Sequence, residues 1–366
     1  MRRILLLANG PGELWCWARP MIPALTDLGF EVSLRILPCQ YSAGNEAQIA
    51  GNLGAEDVSP PSSIFGSLAR REKKPLSAVF QLGGDLLFGF AFSRRNRVPL
   101  FCYTYAFKPL LGRCCTVFTG FEQARHTFRP GCDNVFVAGD LVADSLAMDG
   151  GDTPWLSEEG HRVVFFPGSR RAIRSAALPF IREVRDSMDM RLPGIETVTA
   201  LSPFASPEDV EDWRSAGLNP ATASTGSILR GADLAITQPG TNTLELAYSG
   251  TPGIVVLPFA FLGHVPLPGL KGAVASIPFA GPFLKGVALR SANRNRGLLA
   301  WPNRLAGREV MPEMVGDISS DDVANVAVEL LLDERRRKQI ISGLEKIVQG
   351  PGAARRIAAQ IARMLG

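Results

Sequence analysis

The sequence predicts an α/β protein of two doubly wound, Rossmann-like domains facing a cleft. Three observations predict it. At 366 residues the chain exceeds one ordinary core and suits two domains of roughly 150 residues each. Short apolar runs alternate with longer helical patterns, which is the pattern of a parallel sheet covered on both faces. A stretch of turn residues, Gly150-Gly151-Asp152-Thr153-Pro154, separates two such series and marks the linker.

The strands in order are Ile4 to Ala8, Val32 to Leu37, Ala78 to Leu82, Leu100 to Tyr103, Asn134 to Ala138, Val163 to Phe166, Thr197 to Leu201, Leu234 to Thr237 and Gly253 to Leu257. Each is a short apolar run ending near Gly, Asn or Asp, as a strand buried on both faces should be. Helical patterns fill Pro20 to Leu28, Ala176 to Asp189 and Thr241 to Ser249. The tail from Asp321 to Leu365 is helical, broken at Gly350-Pro351-Gly352 before a final basic amphipathic helix. The expected division is 1–152, 153–335 and a helical segment 336–366.

Composition narrows the functional classes. Apolar residues make up 46% and charged residues 20%, so the chain can bury a core and is neither disordered nor fibrous. A net charge of +4 suits contact with phosphate but falls short of a nucleic-acid protein. Six cysteines, two of them adjacent as Cys114-Cys115, have neither zinc-site spacing nor the density of a secreted disulfide scaffold, so reduced thiols and a cytoplasmic location are expected. Three histidines far apart, His126, His161 and His264, disfavour a histidine-based metal site or triad, and no cofactor is expected. The opening Met1-Arg2-Arg3 with its short apolar run reads as a first strand entering a glycine turn, not as an export signal.

In open α/β sheets ligands sit beyond the carboxyl ends of the strands, so residues there carry weight. Phe165-Phe166-Pro167-Gly168-Ser169-Arg170-Arg171 ends a strand and enters a helix. Free backbone N–H groups, a hydroxyl and guanidinium groups converge there, which suits phosphate; an ordinary turn with solvated arginines is the alternative. Gln238-Pro239-Gly240-Thr241-Asn242 is the second such junction. Gly240 lets a ligand approach the backbone, Thr241 can cap the helix, its first-turn donors suit a diphosphate, and Glu245 can accept two ribose hydroxyls or merely complement the helix dipole.

In the first half, Gln81-Leu82-Gly83-Gly84-Asp85 ends a strand and offers Asp85 as a catalytic base, unless it is only a turn residue. Asn9-Gly10-Pro11-Gly12-Glu13 lacks the spaced-glycine fingerprint and the acid about twenty residues later that a nicotinamide site needs. Gly10 and Gly12 can instead admit an acceptor and Glu13 bind its hydroxyls or take its proton; a plain tight turn is the other reading. Trp15 and Trp17 can stack on sugars or pack in the core.

No acidic residue occurs from Leu246 to Arg308, while Lys271, Lys285, Arg290, Arg294, Arg296, Arg304 and Arg308 all do. Its apolar middle, Leu257 to Leu289, is interrupted by Pro258, Pro266, Pro268, Pro278 and Pro282 and cannot span a bilayer as a regular helix. It suits shallow contact with an anionic membrane, or a buried loop or dimer contact.

Four stretches together resemble the lipid-A-disaccharide synthase family: Pro167 to Arg170; Gly240-Thr241 through Leu244-Glu245; Pro302-Asn303-Arg304-Leu305-Ala306-Gly307-Arg308-Glu309; and Gly139-Asp140-Leu141-Val142-Ala143-Asp144. The resemblance covers most of the chain, and the Pro302 to Glu309 stretch is its most specific part. It implies a GT-B fold with the C-terminal helices packing back on the N-terminal domain. It further implies an inverting, metal-independent transferase that moves an N-acetylglucosamine-type sugar from a UDP donor to a lipid-linked acceptor. By matching position, Gly168, Ser169, Arg170, Gly240, Thr241, Asn242 and Asn303 would serve the donor site, Glu245 the ribose, and Arg308 the phosphates or their supporting shell.

Two departures fall in the acceptor half. The family's first loop runs Gly-Glu-x-Ser-Gly-Asp, whereas this chain has Gly10-Pro11-Gly12-Glu13-Leu14-Trp15. Of two aspartates near the strand-end motif, only Asp85 is left. These imply a related enzyme with room for a different acceptor. Peripheral contact with the inner face of the cytoplasmic membrane, a homodimer through the C-terminal helices and no nucleic-acid partner complete the expectations. A sugar-nucleotide epimerase and a catalytically silent UDP-sugar or lipid-binding protein stay open as alternatives.

Overall fold

The computed structural model describes residues 2–39, 44–69, 72, 74–128, 134–157, 159–169, 171–262 and 297–366. The chain forms two compact units. Met1–Met148 with Gln349–Gly366 make the first and Asp149–Val348 the second.

The first unit is built on a seven-stranded parallel sheet: β1 (Arg2–Ala8), β2 (Phe30–Ile36), β3 (Asp57–Ser59), β4 (Ala78–Leu82), β5 (Leu100–Tyr103), β6 (Thr116–Thr119) and β7 (Val135–Val137). Their order is β3-β2-β1-β4-β5-β6-β7, so the winding reverses between β1 and β4, which pair from Ile4↔Ala78 to Ala8↔Leu82. Ile4 to Ala8 and Ala78 to Leu82 are buried throughout, which is why they read as apolar runs, broken in β4 only by the buried Gln81.

The helices that matter here are α1 (Arg19–Thr26), preceded by a π-helical turn Leu14–Ala18; α2 (Leu86–Asn96); and α3 (Leu141–Ala147). The second unit carries β8 (Arg162–Phe166), β9 (Glu196–Ala200), β10 (Pro220–Ala221), β11 (Leu234–Thr237), β12 (Gly253–Pro258) and β13 (Glu313–Gly316), in the order β10-β9-β8-β11-β12-β13. Here the reversal lies between β8 and β11, paired from Leu234↔Val163 to Thr237↔Phe166. Both orders are doubly wound, as expected from sequence.

Around the second sheet lie α4 (Arg171–Arg191), α5 (Pro207–Ser215), α6 (Asn242–Ser249), α7 (Trp301–Ala306), α8 (Ser320–Leu332) and α9 (Glu334–Glu345). Along α4 the residues Ala177, Ile181, Val184 and Met188 are buried, a helical stripe that shares one core with Val323, Ala324 and Ala327 of α8.

The C-terminal segment corrects the expected division. Only α10 (Ala353–Leu365) packs on the first unit, against α1 and α3; α9 packs on α6 and α8 in the second. Asp144 explains α10's place. Its carboxylate accepts from the Gly352 and Ala354 amides, the latter at 2.8 Å, satisfying first-turn donors that a glycine N-cap leaves open. Arg356 adds a bond from its Nε to the Ala138 carbonyl at 2.7 Å. Among the described residues, no helix is long and apolar enough to cross a membrane.

Candidate functional site

Each unit brings two loops together where its winding reverses, the place at which doubly wound sheets take ligands. In the second unit these loops are Pro167 to Ser169 after β8 and Gln238 to Thr241 after β11. Gln238 laces them together, its Nε2 donating to the Pro167 carbonyl at 2.9 Å. Gly168 has φ +92°, and a Cβ there would lie 3.3 Å from Gln238 Oε1, so both backbone and neighbour favour glycine. Arg174, one turn into α4, is 1% exposed. Its Nη1 donates to the Ser169 carbonyl and its Nη2 to Asp209 Oδ2 at 2.6 Å. Burial pushes the Asp209 carboxyl up, but the Ser206 amide and the Arg174 guanidinium outweigh it and hold the group below the usual carboxylate range.

The start of α6 differs from expectation in one respect. Thr241 makes no side-chain capping bond. Instead Asn242 Nδ2 donates to Thr237 Oγ1, and the Thr243 hydroxyl donates to the Gly240 carbonyl at 2.8 Å. The Asn242 Oδ1 also occupies the space that a Cβ on Gly240 would need, at 2.7 Å. Glu245 lies one turn further along α6 and is 9% exposed.

Asn303 is a correction to the sequence reading. It is fully buried; its amide nitrogen donates to the Met311 carbonyl and Glu313 Oε1, both at 2.8 Å, and its oxygen accepts from the Val310 and Met311 amides at 2.7 and 2.9 Å. An amide with two donors and two acceptor sites is thereby saturated, so Asn303 holds α7 in place and has nothing left for a donor sugar. Arg308 is exposed, with Nη1 on the Glu309 carbonyl at 3.4 Å and its amide on the Asn303 carbonyl at 3.2 Å, which ties it to the end of α7 and not to the two glycine loops. Arg170 lies outside the described residues, as do Lys271, Lys285, Arg290, Arg294 and Arg296 of the basic segment.

In the first unit the adjoining loops are Asn9 to Glu13 after β1 and Gly83 to Asp85 after β4. Gly83 and Gly84 both have left-handed backbones, φ +64° and +61°, and a Cβ on Gly83 would lie 2.9 Å from the Trp17 ring and 3.2 Å from Glu13 Cγ. The half-buried Glu13 thus lies against the second loop while its carboxylate accepts from the Gly10 amide at 3.3 Å. Gly12 is half-buried in the same turn. Asp85 is exposed and committed locally: it is the N-cap of α2, accepting from the Leu87 amide at 3.0 Å.

The two tryptophans part ways. Trp17 is 8% exposed and packs edge-on against Tyr103 and Tyr105, each at 5.1 Å between ring centroids, so it belongs to the core. Trp15 is half-buried with the Arg19 guanidinium 4.5 Å above its ring. Beneath them, Asp140 caps α3 and accepts from the hydroxyls of Tyr105 and of Tyr103, the latter at 3.3 Å. Burial, then the Asp140 charge, pushes the Tyr105 phenol well above its ordinary range. The stretch Gly139 to Asp144 is therefore structural: Asp140 anchors the aromatic cluster and Asp144 holds α10.

Sequence reasoning missed Arg174, Gln238 and the Trp17–Tyr103–Tyr105–Asp140 cluster. Arg174 leaves one usable signal, an arginine on the apolar stripe of a helix that begins at a phosphate-type turn. Gln238 leaves none, because its role depends on how two strands pair.

No protein-family model matches the chain. Seven curated proteins match, and all seven are lipid-A-disaccharide synthases. The protein from Trichlorobacter lovleyi is 35% identical over 121 residues, 32% of either chain. That from Geobacter sulfurreducens is 25% identical over 236 residues, 62% of this chain and 55% of its own. This chain is a divergent relative of the lipid-A-disaccharide synthases. It spans from a third to just over half the length of the members it matches.

Solved structures show the fold that these synthases were expected to share. An S. aureus MnaA–UDP co-structure superposes with TM-score 0.66 at 14% identity, covering 100% of this chain and 97% of the other. Acinetobacter baumannii MurG gives 0.59 at 13% identity with full coverage of both chains. A Neisseria meningitidis UDP-GlcNAc 2-epimerase bound to UDP-GlcNAc gives 0.61 at 12% identity, covering 99% of each. The chain has the GT-B fold.

Proposed function

We propose that this chain is an inverting glycosyltransferase that moves an N-acetylglucosamine-type sugar from a UDP donor to a lipid-linked acceptor. The observation that carries the reading is the pair of glycine turns after β8 and β11, laced by Gln238 and Pro167 at the reversal of the second sheet. Such a pair presents backbone N–H groups and helix-start potential to a diphosphate. Its occurrence in a relative of the lipid-A-disaccharide synthases supports UDP-sugar as the ligand. Gly168, Ser169, Arg170, Gly240, Thr241 and Asn242 make this donor site, Glu245 takes the ribose, and Arg308, at the end of α7, serves the phosphates or their supporting shell.

The acceptor belongs to the first unit, over Gly10, Gly12 and Glu13. Its hydroxyl oxygen attacks the anomeric carbon, forming the new glycosidic bond while the bond to the β-phosphate oxygen breaks. The bonding electrons leave with UDP, and the hydroxyl proton passes to a carboxylate. Glu13 suits that role better than Asp85: it lies at the meeting point of both loops, while Asp85 is engaged in capping α2. The basic apolar segment between Leu257 and Leu289 supplies peripheral membrane contact where a lipid-linked acceptor would be met.

Calorimetric titration with UDP and UDP-N-acetylglucosamine in EDTA tests the donor site. Binding supports it and sends the search to lipid acceptors; no binding to either overturns it. Turnover of the UDP-sugar without acceptor would favour an epimerase instead, a reading kept open by the UDP-GlcNAc 2-epimerase fold neighbours. Binding without turnover over a wide acceptor panel would favour a silent binding protein.

A further inference from the structure

Beside the Gly240 turn stands a short helix whose placement is strongly over-determined. The amides of Leu299 and Ala300 donate to the Glu313 carboxylate at 2.8 to 3.0 Å, and the Trp301 amide donates to the Thr243 hydroxyl at 3.1 Å. That same hydroxyl donates to the Gly240 carbonyl, so one oxygen atom joins the start of α7 to the second glycine turn. Asn303, saturated and fully buried, fixes the next turn of α7. What this scaffold holds at its surface is an aromatic–guanidinium pair. The Arg304 guanidinium lies 4.1 Å above the half-buried Trp301 indole, and Arg304 is exposed.

A long cationic side chain at a surface ordinarily samples many rotamers, and holding it flat on an indole costs that freedom. Guanidinium planes stack on aromatic faces and, with one face taken, offer the other to a second planar group. Resting on the nucleotide-sugar reading, we propose that Trp301 and Arg304 form a stacking platform for the heteroaromatic base of the donor nucleotide, with Arg304 sandwiched between indole and base. The residues that resemble the family's Pro-Asn to Gly-Arg-Glu stretch then act through presentation: Asn303 contacts no ligand and sets where the platform stands.

The test is titration of the full chain with UDP and, separately, with inorganic pyrophosphate, for the wild type and for Arg304→Ala, Arg304→Lys and Trp301→Phe. Arg304→Ala is expected to weaken UDP roughly tenfold while leaving pyrophosphate unchanged, since one base stack is involved. Arg304→Lys keeps the charge but loses the plane, so it should behave like Arg304→Ala. Quenching of tryptophan fluorescence by UDP should be reduced in Trp301→Phe. Unchanged UDP affinity in the Arg304 variants, or an equal loss for pyrophosphate, overturns the platform while the nucleotide site survives. A wild type that binds no UDP overturns the nucleotide reading itself and the platform with it.

Discussion

Arg174 and Asp209 meet at 2.6 Å in the second unit, both nearly inaccessible to water, and the same guanidinium reaches back to the Ser169 carbonyl. A buried ion pair of this kind couples the stability of the unit to the shape of the turn that is proposed to hold the diphosphate.

Removing one partner leaves the other charged and buried. Arg174→Ala should therefore destabilise the second unit by about 3–5 kcal/mol, read from urea or guanidinium midpoints. UDP affinity should fall as well, because Ser169 loses its support. A stability change under about 0.5 kcal/mol would mean that solvent reaches the pair.

The same pair sets an acid limit. Asp209 is held low in the fold, so it gives up its proton more readily there than in the unfolded chain, whose value is about 3.9. The stability it contributes is complete above that unfolded value and drains away as pH falls through the lower folded one. Denaturation curves at a series of acidic pH values should show this decline, and Asp209→Asn should shallow it. An identical pH slope in the variant would contradict the assignment.

Glu13 and Asp85 are separable by mutation. Glu13→Gln should lower transfer by about 10²-fold or more with UDP affinity intact. Asp85→Asn should cost no more than about 1 kcal/mol of stability, a capping effect, with a smaller loss of transfer. The reverse order of effects would return the base role to Asp85.

Asn303→Ala should act on folding first. It strips their partner from the buried Val310 and Met311 amides, each loss costing about 1–3 kcal/mol. If a thermally stable Asn303→Ala chain nonetheless lost UDP binding, a direct ligand role would be restored.

Although the interior strand Thr116–Thr119, buried throughout but with a threonine at each end, is not among the expected strands, most central strands are legible in the sequence because a strand buried on both faces is largely apolar, as Leu5 to Leu7 and Val163 to Phe165 are. The short edge strands Asp57–Ser59 and Pro220–Ala221 are not, since they are only partly buried and their membership rests on backbone pairing. The glycine turns can be read from strand ends alone. Which side chains saturate one another cannot, and that is why Asn303 reads as a ligand-binding residue in the sequence while Arg174 and Gln238 do not stand out in it.

The return of α10 to the first unit has a consequence for biosynthesis. Because Asp144 waits for the Gly352 and Ala354 amides, a ribosome must translate all of Asp149–Val348 before the helix that covers α1 and α3 exists. The second unit is continuous in sequence and can fold as it emerges, whereas the first must persist for that interval with an uncovered apolar face. Maturation of this chain therefore runs against the order of its synthesis, the half made first being the last to be finished.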